Sequence, residues 1–228
     1  MRYGVYARKI YLCGRISSSI EMIEFRDVTF IYDGKPLIEH FTETIETGEK
    51  VVLYGSSGTG KSTLLGAIAG FVRPDNGEIA IDGKIMNGES IQLFRQQIAW
   101  VPQEFTLPYN TVREMIDAPF LFRINRQKRP SRHKILKEFE KLGLEEILYE
   151  KKASEVSGGQ RQRIMIVIAR LLGKEYTLVD EPTSALDENS IGSLINYIQN
   201  FGSSETVVMV SHDNRFISAF DRKIKIGV

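Results

Sequence analysis

A glycine-rich stretch, GSSGTGKST, has residue types and spacing suited to binding phosphate groups. It lies between an apolar run, KVVLY, that predicts a strand and a pattern that predicts a helix. Glycines let the backbone bring its N–H groups onto phosphate oxygens, and the helix directs its positive dipole end toward them. The stretch fits G-x-x-x-x-G-K-[ST] in full, which predicts a nucleotide phosphate site. The candidate nucleotide-binding residues are Gly55, Ser56, Ser57, Gly58, Thr59, Gly60, Lys61, Ser62 and Thr63.

Two acidic residues in YTLVDEP are the expected partners of this loop. In the loop, Lys61 is predicted to reach the β- and γ-phosphates, and the Ser62 hydroxyl to bind Mg²⁺. Asp180 closes an apolar run and is predicted to hold the same Mg²⁺, directly or through water. Glu181 follows and is a candidate general base for an attacking water. The alternative interpretation of these two acids is an acidic turn before Pro182. The two motifs together are typical of a P-loop NTPase, which could still be a kinase, a GTPase or a motor.

A second loop, VSGGQRQR, begins about 96 residues after the lysine of the first loop. Ser157 and Gln160 have the spacing of a capping box, immediately before the apolar run IMIVIARLL. The Ser157 hydroxyl and the N–H groups of Gly158 and Gly159 would therefore lie at a helix N-terminus, which forms a second anion site. Taken alone, this loop is better explained as a helix cap with a tight turn.

The elements around these loops indicate an α/β architecture. MIEFRDVTF alternates apolar and polar residues, as expected for a half-buried antiparallel strand. Four short apolar runs, starting at residues 51, 98, 176 and 207, suit strands of a parallel sheet covered on both faces. Helical patterns lie between them, which favours alternating strands and helices. Residues 104–173 show no clear strand and are predicted to be a mainly helical insertion.

Composition narrows the protein class. The chain has 228 residues, a formal net charge of +1 and a single cysteine, Cys13, so neither a disulfide framework nor a general nucleic-acid binder is expected. No apolar run approaches the roughly 18 residues needed to cross a bilayer. Residues 1–20 carry four Arg or Lys and no acid. Because Arg8 and Lys9 interrupt any apolar segment, a targeting peptide is disfavoured, and residues 1–21 are predicted to be an extension outside a core of residues 22–228.

With these motifs in this order, residues 22–228 resemble the ATP-binding cassette (ABC) ATPase family, in its prokaryotic transporter type. GSSGTGKST corresponds to the Walker A loop, TLVDEP to Walker B and VSGGQRQR to the signature, which here begins with Val156 rather than the usual Leu. Further matches are Gln103 in the Q-loop, the D-loop SALD ending at Asp187, and the switch histidine His212 in VSHD. Tyr32 precedes Lys61 at the position of the family's adenine-stacking aromatic residue.

The resemblance implies a fold and a set of roles. The fold would be the P-loop NTPase ABC ATPase fold, a mainly parallel sheet core with an antiparallel β edge and a helical subdomain. ATP and Mg²⁺ would be the cofactors, with Tyr32 stacking on the base and Gln103 touching Mg²⁺ or the attacking water. Glu181 would be the general base, and His212 would bind the γ-phosphate and hold Glu181 and the D-loop with Asp187. The signature residues Ser157, Gly158, Gly159 and Gln160 would cover the γ-phosphate of ATP bound to a second subunit.

The resemblance also implies partners. A second ABC ATPase subunit would form a head-to-tail dimer around two ATP molecules, and a separate integral-membrane permease would dock near residues 103–125. The chain would then work at the cytoplasmic face of the cell membrane, and would be cytoplasmic when isolated. A soluble ABC-type ATPase acting on DNA or ribosomes is the alternative, although no nucleic-acid partner is expected. A loose resemblance to a bacterial subgroup linked to metal or iron efflux leaves substrate and direction open.

One charged segment is left over from these assignments. LFRINRQKRPSRHK, residues 121–134, carries six Lys or Arg and no acid. A solvated loop is the plainer interpretation of such a run. The sharper interpretation is a patch close to anionic lipid or to a partner.

Overall fold

The computed structural model describes residues 22–104 and 109–227, so the predicted extension 1–21 lies outside the described residues. The strands are β1 Met22–Tyr32, β2 Lys35–Glu46, β3 Lys50–Tyr54, β4 Asn76–Ile81, β5 Lys84–Ile85, β6 Ile98–Val101, β7 Tyr176–Asp180, β8 Thr206–Val210 and β9 Arg222–Lys225. The α-helices are α1 Lys61–Ile68, α2 Ile91–Gln97, α3 Val112–Leu121, α4 Arg132–Lys141, α5 Gly158–Leu172, α6 Glu188–Gln199 and α7 Asn214–Ser218. Within the described ranges, no helix is long and apolar enough to cross a membrane.

Five strands form a parallel sheet in the order β6-β7-β8-β3-β9. Every residue of β7 and β8 is buried, because these central strands are covered on both faces. The four apolar runs predicted as buried strands are β3, β6, β7 and β8. In a parallel sheet the carboxyl ends of the strands lie along one edge, so the loops after β3, β6, β7 and β8 meet there.

The remaining four strands form a second, antiparallel sheet in the order β2-β1-β4-β5. The predicted alternation of β1 is confirmed, since Ile23, Phe25, Val28 and Phe30 are buried. β1 and β2 are joined by the two-residue turn Asp33-Gly34, whose φ angles are 49° and 71°. These positive angles match a tight hairpin turn and leave the end of β1 at an exposed tip. The α/β fold class is confirmed, with the antiparallel strands forming a sheet of their own.

The described part of the predicted helical insertion contains α3, α4 and the whole of α5, together with short 3-10 turns. Each helix begins at a hydroxyl residue whose oxygen accepts a hydrogen bond from a backbone N–H three residues later: Thr111, Ser131 and Ser157. The apolar face of α4, with Ile135, Leu136 and Phe139, is buried against α5 and its neighbours. Among the described residues, an antiparallel bridge joins Thr111, at the start of α3, to Lys152, which precedes the second loop.

Trp100, the only tryptophan of the chain, lies on β6 two residues before the loop that carries Gln103. Its ring meets Phe71 edge to face, with 5.4 Å between ring centroids. The guanidinium of Arg95 lies 5.4 Å from the Phe71 ring centroid on the same aromatic pair. This contact joins β6 to the segment that follows α1.

Candidate functional site

The glycine-rich loop joins β3 to α1, as predicted. Gly55, Gly58 and Gly60 have φ angles of 149°, 79° and 93°, which glycine adopts with little strain. A Cβ atom at Gly55 would lie 2.2 Å from the carbonyl oxygen of Ile226, so only glycine fits there. The backbone N–H groups at the start of α1 are thereby left at the open end of the loop.

Lys61 is buried inside this loop. Its ammonium group donates hydrogen bonds to the carbonyl oxygens of Gly55, at 3.0 Å, and Ser56, at 2.7 Å. These bonds hold the positive charge within the ring of backbone that the glycines form. The cation therefore lies where an incoming phosphate would need it.

Ser62 and Asp180 bring two oxygen ligands together. The Ser62 hydroxyl donates to Asp180 Oδ1 over 3.0 Å, joining the first turn of α1 to the end of β7. Burial raises the pKa of the Asp180 carboxyl, the Ser62 bond opposes this, and neighbouring Glu181 raises the pKa further. A hydroxyl and a buried carboxylate beside a phosphate loop fit Mg²⁺, which is usually held by one or two carboxylates together with substrate phosphates.

Glu181 occupies a strained position. Its φ is 46°, in the left-handed region that non-glycine residues rarely adopt, and its side chain is buried. Oε2 lies 2.9 Å from His212 Nδ1, but their orientation does not make a hydrogen bond, so Oε2 has no hydrogen-bond partner among the described residues. A buried carboxylate oxygen with a free lone pair beside a phosphate loop is suited to accepting a proton from water.

The segment after β8 holds His212 in place from both sides. The Ser211 hydroxyl accepts a hydrogen bond from the Asp213 N–H over 3.1 Å. The Asp213 carboxylate accepts bonds from the backbone N–H groups of Arg215 and Phe216 and caps α7. His212 lies between these two fixed residues and keeps 67% of its side chain exposed, which leaves its ring free to meet a ligand.

One cleft gathers most of the predicted site residues. Its lining consists of Tyr32, Leu37, Ser57, Gly58, Gly60, Lys61, Ser62, Thr63, Gln103, Glu181 and His212. Tyr32 lies at the β1–β2 tip and is 71% exposed, so its ring is available for stacking. Leu37 was missed by the sequence analysis, because a lone leucine on a strand belongs to no motif.

The second loop lies elsewhere. Within the described residues, Ser157, Gly158, Gly159 and Gln160 do not line this cleft. The predicted capping box is present: Ser157 Oγ accepts from Gln160 N over 3.2 Å, and Gln160 Oε1 accepts from Ser157 N over 3.1 Å. A Cβ atom at Gly159 would lie 2.5 Å from the carbonyl oxygen of Ala185, so this glycine is also needed for packing against the segment before α6.

Asp187 has a local structural role in addition to any role at a nucleotide. Its carboxylate caps α6, accepting from the Ser190 N–H over 2.9 Å and from the Ser190 hydroxyl over 3.0 Å. These bonds lower the pKa of Asp187. The residue does not line the cleft described above, and its predicted part in nucleotide binding stays a prediction.

Comparison with known proteins identifies the family. The sequence matches the ABC transporter family over residues 38–184, and the chain belongs to that family. Ergothioneine transport ATP-binding protein EgtV of Helicobacter pylori is 34% identical over 197 residues, covering 85% of this chain and 91% of the relative. Glutamate/aspartate import ATP-binding protein GltL of Escherichia coli is 32% identical, covering 86% of this chain and 82% of the relative.

Other relatives are much longer. An uncharacterized ABC transporter ATP-binding protein of Haemophilus influenzae is 34% identical over 211 residues, but these are only 34% of its length. Among solved structures, a dimeric ATP-binding cassette in a post-hydrolysis state with ADP and Pi matches with a TM-score of 0.77 and 28% identity, covering 90% of this chain and 94% of that one. The chain is thus an ATP-binding cassette, the ATPase unit of this family. None of these relatives has a name that refers to metal or iron efflux. The loose resemblance to a metal- or iron-efflux subgroup therefore stays a prediction.

Proposed function

We propose that this chain is the ATP-hydrolysing subunit of an ABC transporter, and that it dimerises around two ATP molecules to drive transport through separate membrane subunits. The separation of the two anion sites carries this proposal. The phosphate loop lines a cleft, whereas the helix N-terminus at Ser157 lies outside that cleft's lining. A second copy, placed head to tail, would close each cleft with its Ser157 loop. The dimeric cassette among the structural neighbours supports this arrangement.

The cleft residues have complementary tasks in this proposal. Tyr32 stacks on the adenine, and the loop N–H groups together with Lys61 bind the β- and γ-phosphates. Ser62, Asp180 and Gln103 would hold Mg²⁺, which neutralises charge on the phosphates. Glu181 accepts the proton of the attacking water through Oε2. His212 fixes that carboxylate and contacts the γ-phosphate, so catalysis consists of positioning and charge stabilisation.

The same proposal places the chain at the cytoplasmic face of the membrane, bound to an integral-membrane permease. The proposed docking surface is a groove along α3, whose lining includes Tyr109, Arg113 and Ala118. These residues come shortly after Gln103 in the sequence. A permease bound there would report nucleotide state through the Gln103 loop. EgtV and GltL, two of the relatives, are a transport and an import ATP-binding protein by name, which supports this choice. Co-purification of the chain with an integral-membrane protein would support the permease as its partner. Co-purification with ribosomes or DNA would contradict this proposal.

Glu181→Gln tests the proposed chemistry. The amide cannot accept the proton but keeps the shape, so we expect ATP to bind while turnover falls at least a hundredfold. Trapped ATP should also shift the purified variant to a dimer on gel filtration with Mg-ATP. Lys61→Ala is the control, because it should lose ATP binding and remain monomeric. Hydrolysis by Glu181→Gln at the wild-type rate would show that Glu181 is not the base.

A further inference from the structure

Arg163 lies on α5 just after the second loop and connects that loop to α4. Its Nε donates to the carbonyl of Gly159 over 3.3 Å, and its Nη1 donates to the carbonyl of Leu142 over 2.8 Å. Leu142 is the residue that closes α4, where the last carbonyls have no partner within their own helix. One side chain therefore joins the first turn of α5 to the C-terminus of α4.

The same turn of α5 also meets the segment before α6. A Cβ atom at Gly159 would lie 2.5 Å from the carbonyl oxygen of Ala185 and 3.2 Å from the side chain of Leu186. Burial lowers the pKa of the Arg163 guanidinium, and the nearby Asp187 carboxylate opposes this effect. Arg163 thus lies where α4, the second loop and the segment before α6 come together.

The stability of α5 does not explain a cation at this position. The helix dipole favours acidic residues near a helix N-terminus and basic residues near a C-terminus. The C-terminus of α4 does favour one, because its carbonyls accept hydrogen bonds from a basic side chain. Arg163 is half-buried, so its guanidinium keeps these partners instead of moving in solvent. Its contacts therefore set how the second loop sits against α4.

We propose that Arg163 is a positioning residue for ATP-dependent dimerisation, which holds the second loop at the angle at which it enters the cleft of another copy. The inference rests on the proposed function, in which this loop meets ATP bound to that copy. Among the described residues, Arg163 is not part of the cleft lining, so it acts through the loop and not on ATP in its own chain. Without Arg163 the capping box would still form the first turn of α5, but that turn would lose its tie to α4.

The test compares ATP binding with dimerisation. In a chain kept dilute enough to stay monomeric, Arg163→Gln should leave the Mg-ATP concentration for half of the thermal shift within about twofold of wild type, because its own cleft is intact. In the Glu181→Gln background, the chain concentration at which half of the protein is dimeric with Mg-ATP should rise at least about tenfold. The loss of a charge-assisted hydrogen bond changes an equilibrium constant by about that factor or more.

Arg170→Gln is the matched control. Arg170 is also a half-buried arginine of α5, but it lies near the other end of the helix. There it pairs with Glu205 and donates to the carbonyl of Asn200 over 3.3 Å. Arg170→Gln removes comparable contacts far from the second loop, so dimerisation should stay within about twofold of Glu181→Gln alone, even if the melting temperature falls.

A second variant covers the case in which Arg163→Gln does not fold, as judged by its thermal shift with Mg-ATP. Arg163→Lys keeps a cation at the end of α4 but lacks the planar fork that reaches both carbonyls, so it should weaken dimerisation at least about threefold. Equal dimerisation of the Arg163 and Arg170 variants would overturn the inference and leave Arg163 as a cap of α4. If Glu181→Gln alone stays monomeric with Mg-ATP, the proposed function fails and the inference fails with it.

Discussion

At the scale of single residues, the Asp180 carboxyl at the end of β7 stands out because its ionised form is unfavourable for folding. Asp180 is buried, and both burial and Glu181 raise its pKa, with the Ser62 hydrogen bond only partly opposing them. The folded state therefore holds the Asp180 proton more tightly than the unfolded chain does. Stability from this group is present at low pH and is lost as pH rises through the folded pKa, so at neutral pH the ionised Asp180 costs free energy.

Asp180→Asn should accordingly stabilise the nucleotide-free protein at pH 7. The amide oxygen can still accept the Ser62 hydrogen bond, but the buried charge is gone. We expect the melting temperature to rise by at least about 2 °C, as about 1 kcal/mol gives in a domain of this size. The gain should shrink as pH falls toward 3.8, the usual pKa of the carboxyl. The measurement is thermal melting in chelator from pH 4 to pH 8.

Asp213→Asn is the opposite control. Hydrogen bonds from Arg215 lower the pKa of Asp213, so its ionised form is stabilising and the amide should lower the melting temperature at pH 7. A lower melting temperature for Asp180→Asn at pH 7 would show that the Asp180 carboxylate is not destabilising. Loss of Mg²⁺-dependent nucleotide affinity in the same variant would support the proposed role of Asp180 as a ligand.

The sequence predicts which residues lie near one another in the cleft better than it predicts their geometry. Lys61, Ser62 and Glu181 were recognised because short motifs fix their order along a strand, a loop and a helix. The left-handed backbone of Glu181 and the two carbonyl bonds of Lys61 were not predicted, since both depend on neighbours far away in sequence. The cap that Asp187 forms on α6 was also not predicted, although the contact is local. Asp187 was assigned to the D-loop motif, and its capping role was not considered.

At the scale of elements, a buried hydrogen bond joins α4 of the helical region to α6 of the sheet core. The Tyr197 hydroxyl donates to Glu138 Oε2 over 2.7 Å, and Lys141 donates to the other oxygen, also at 2.7 Å. Burial favours the neutral Glu138, but these two bonds outweigh it and lower its pKa. Glu138 thus adds stability above its usual pKa, and that stability is lost as pH falls through its folded pKa.

Tyr197→Phe should weaken this junction. It leaves a buried carboxylate oxygen unpaired, which costs about 1–3 kcal/mol. A loss of that size should lower the melting temperature by several degrees, and by less below the folded pKa of Glu138, where the carboxyl is protonated. Tyr149→Phe is the control, because the Tyr149 hydroxyl makes no hydrogen bond within the described residues. Equal melting of the two variants would show that the Tyr197 bond contributes little.

The two glycines of the second loop separate packing from ligand binding. A Cβ atom at Gly159 would lie 2.5 Å from a backbone oxygen, whereas at Gly158 the nearest atom is a side-chain carbon at 3.6 Å. Gly159→Ala should therefore lower the melting temperature of the nucleotide-free chain, and Gly158→Ala should leave it nearly unchanged. Equal effects of the two substitutions would contradict the close contact with the segment before α6.

Helices and strands could be predicted where their burial requires a regular pattern of apolar residues in the sequence. The four buried parallel strands and β1 were found from apolar runs and alternation, and α5 from its capping box. The second strand of the antiparallel sheet, β2, was not, because most of its residues are exposed or half-buried and their polarity carries little alternation. The division into two sheets also depends on pairing between distant strands, such as β1 with β4, which no local pattern records.

At the scale of the whole molecule, the composite site can be tested by crosslinking. With Cys13 replaced by Ser, cysteines placed at Ser57 and Ser157 should join two chains only when ATP is present. The expected product is a covalent dimer on non-reducing gels, formed with ATP and not without nucleotide. Ser157 paired with a cysteine at exposed Ser204 is the matched control and should give no ATP-dependent dimer. A bond within one chain, or equal dimer without nucleotide, would rule out the head-to-tail arrangement.

The edge-to-face contact of Trp100 with Phe71 has a practical consequence. Because the chain has a single tryptophan, its indole emission comes from one place, three residues before Gln103. Any nucleotide that draws Gln103 toward the cleft would pull on the end of β6 and change the environment of that indole. The protein therefore contains its own optical probe, and ATP titrations followed by intrinsic fluorescence should read out movement of the Gln103 loop without any added label.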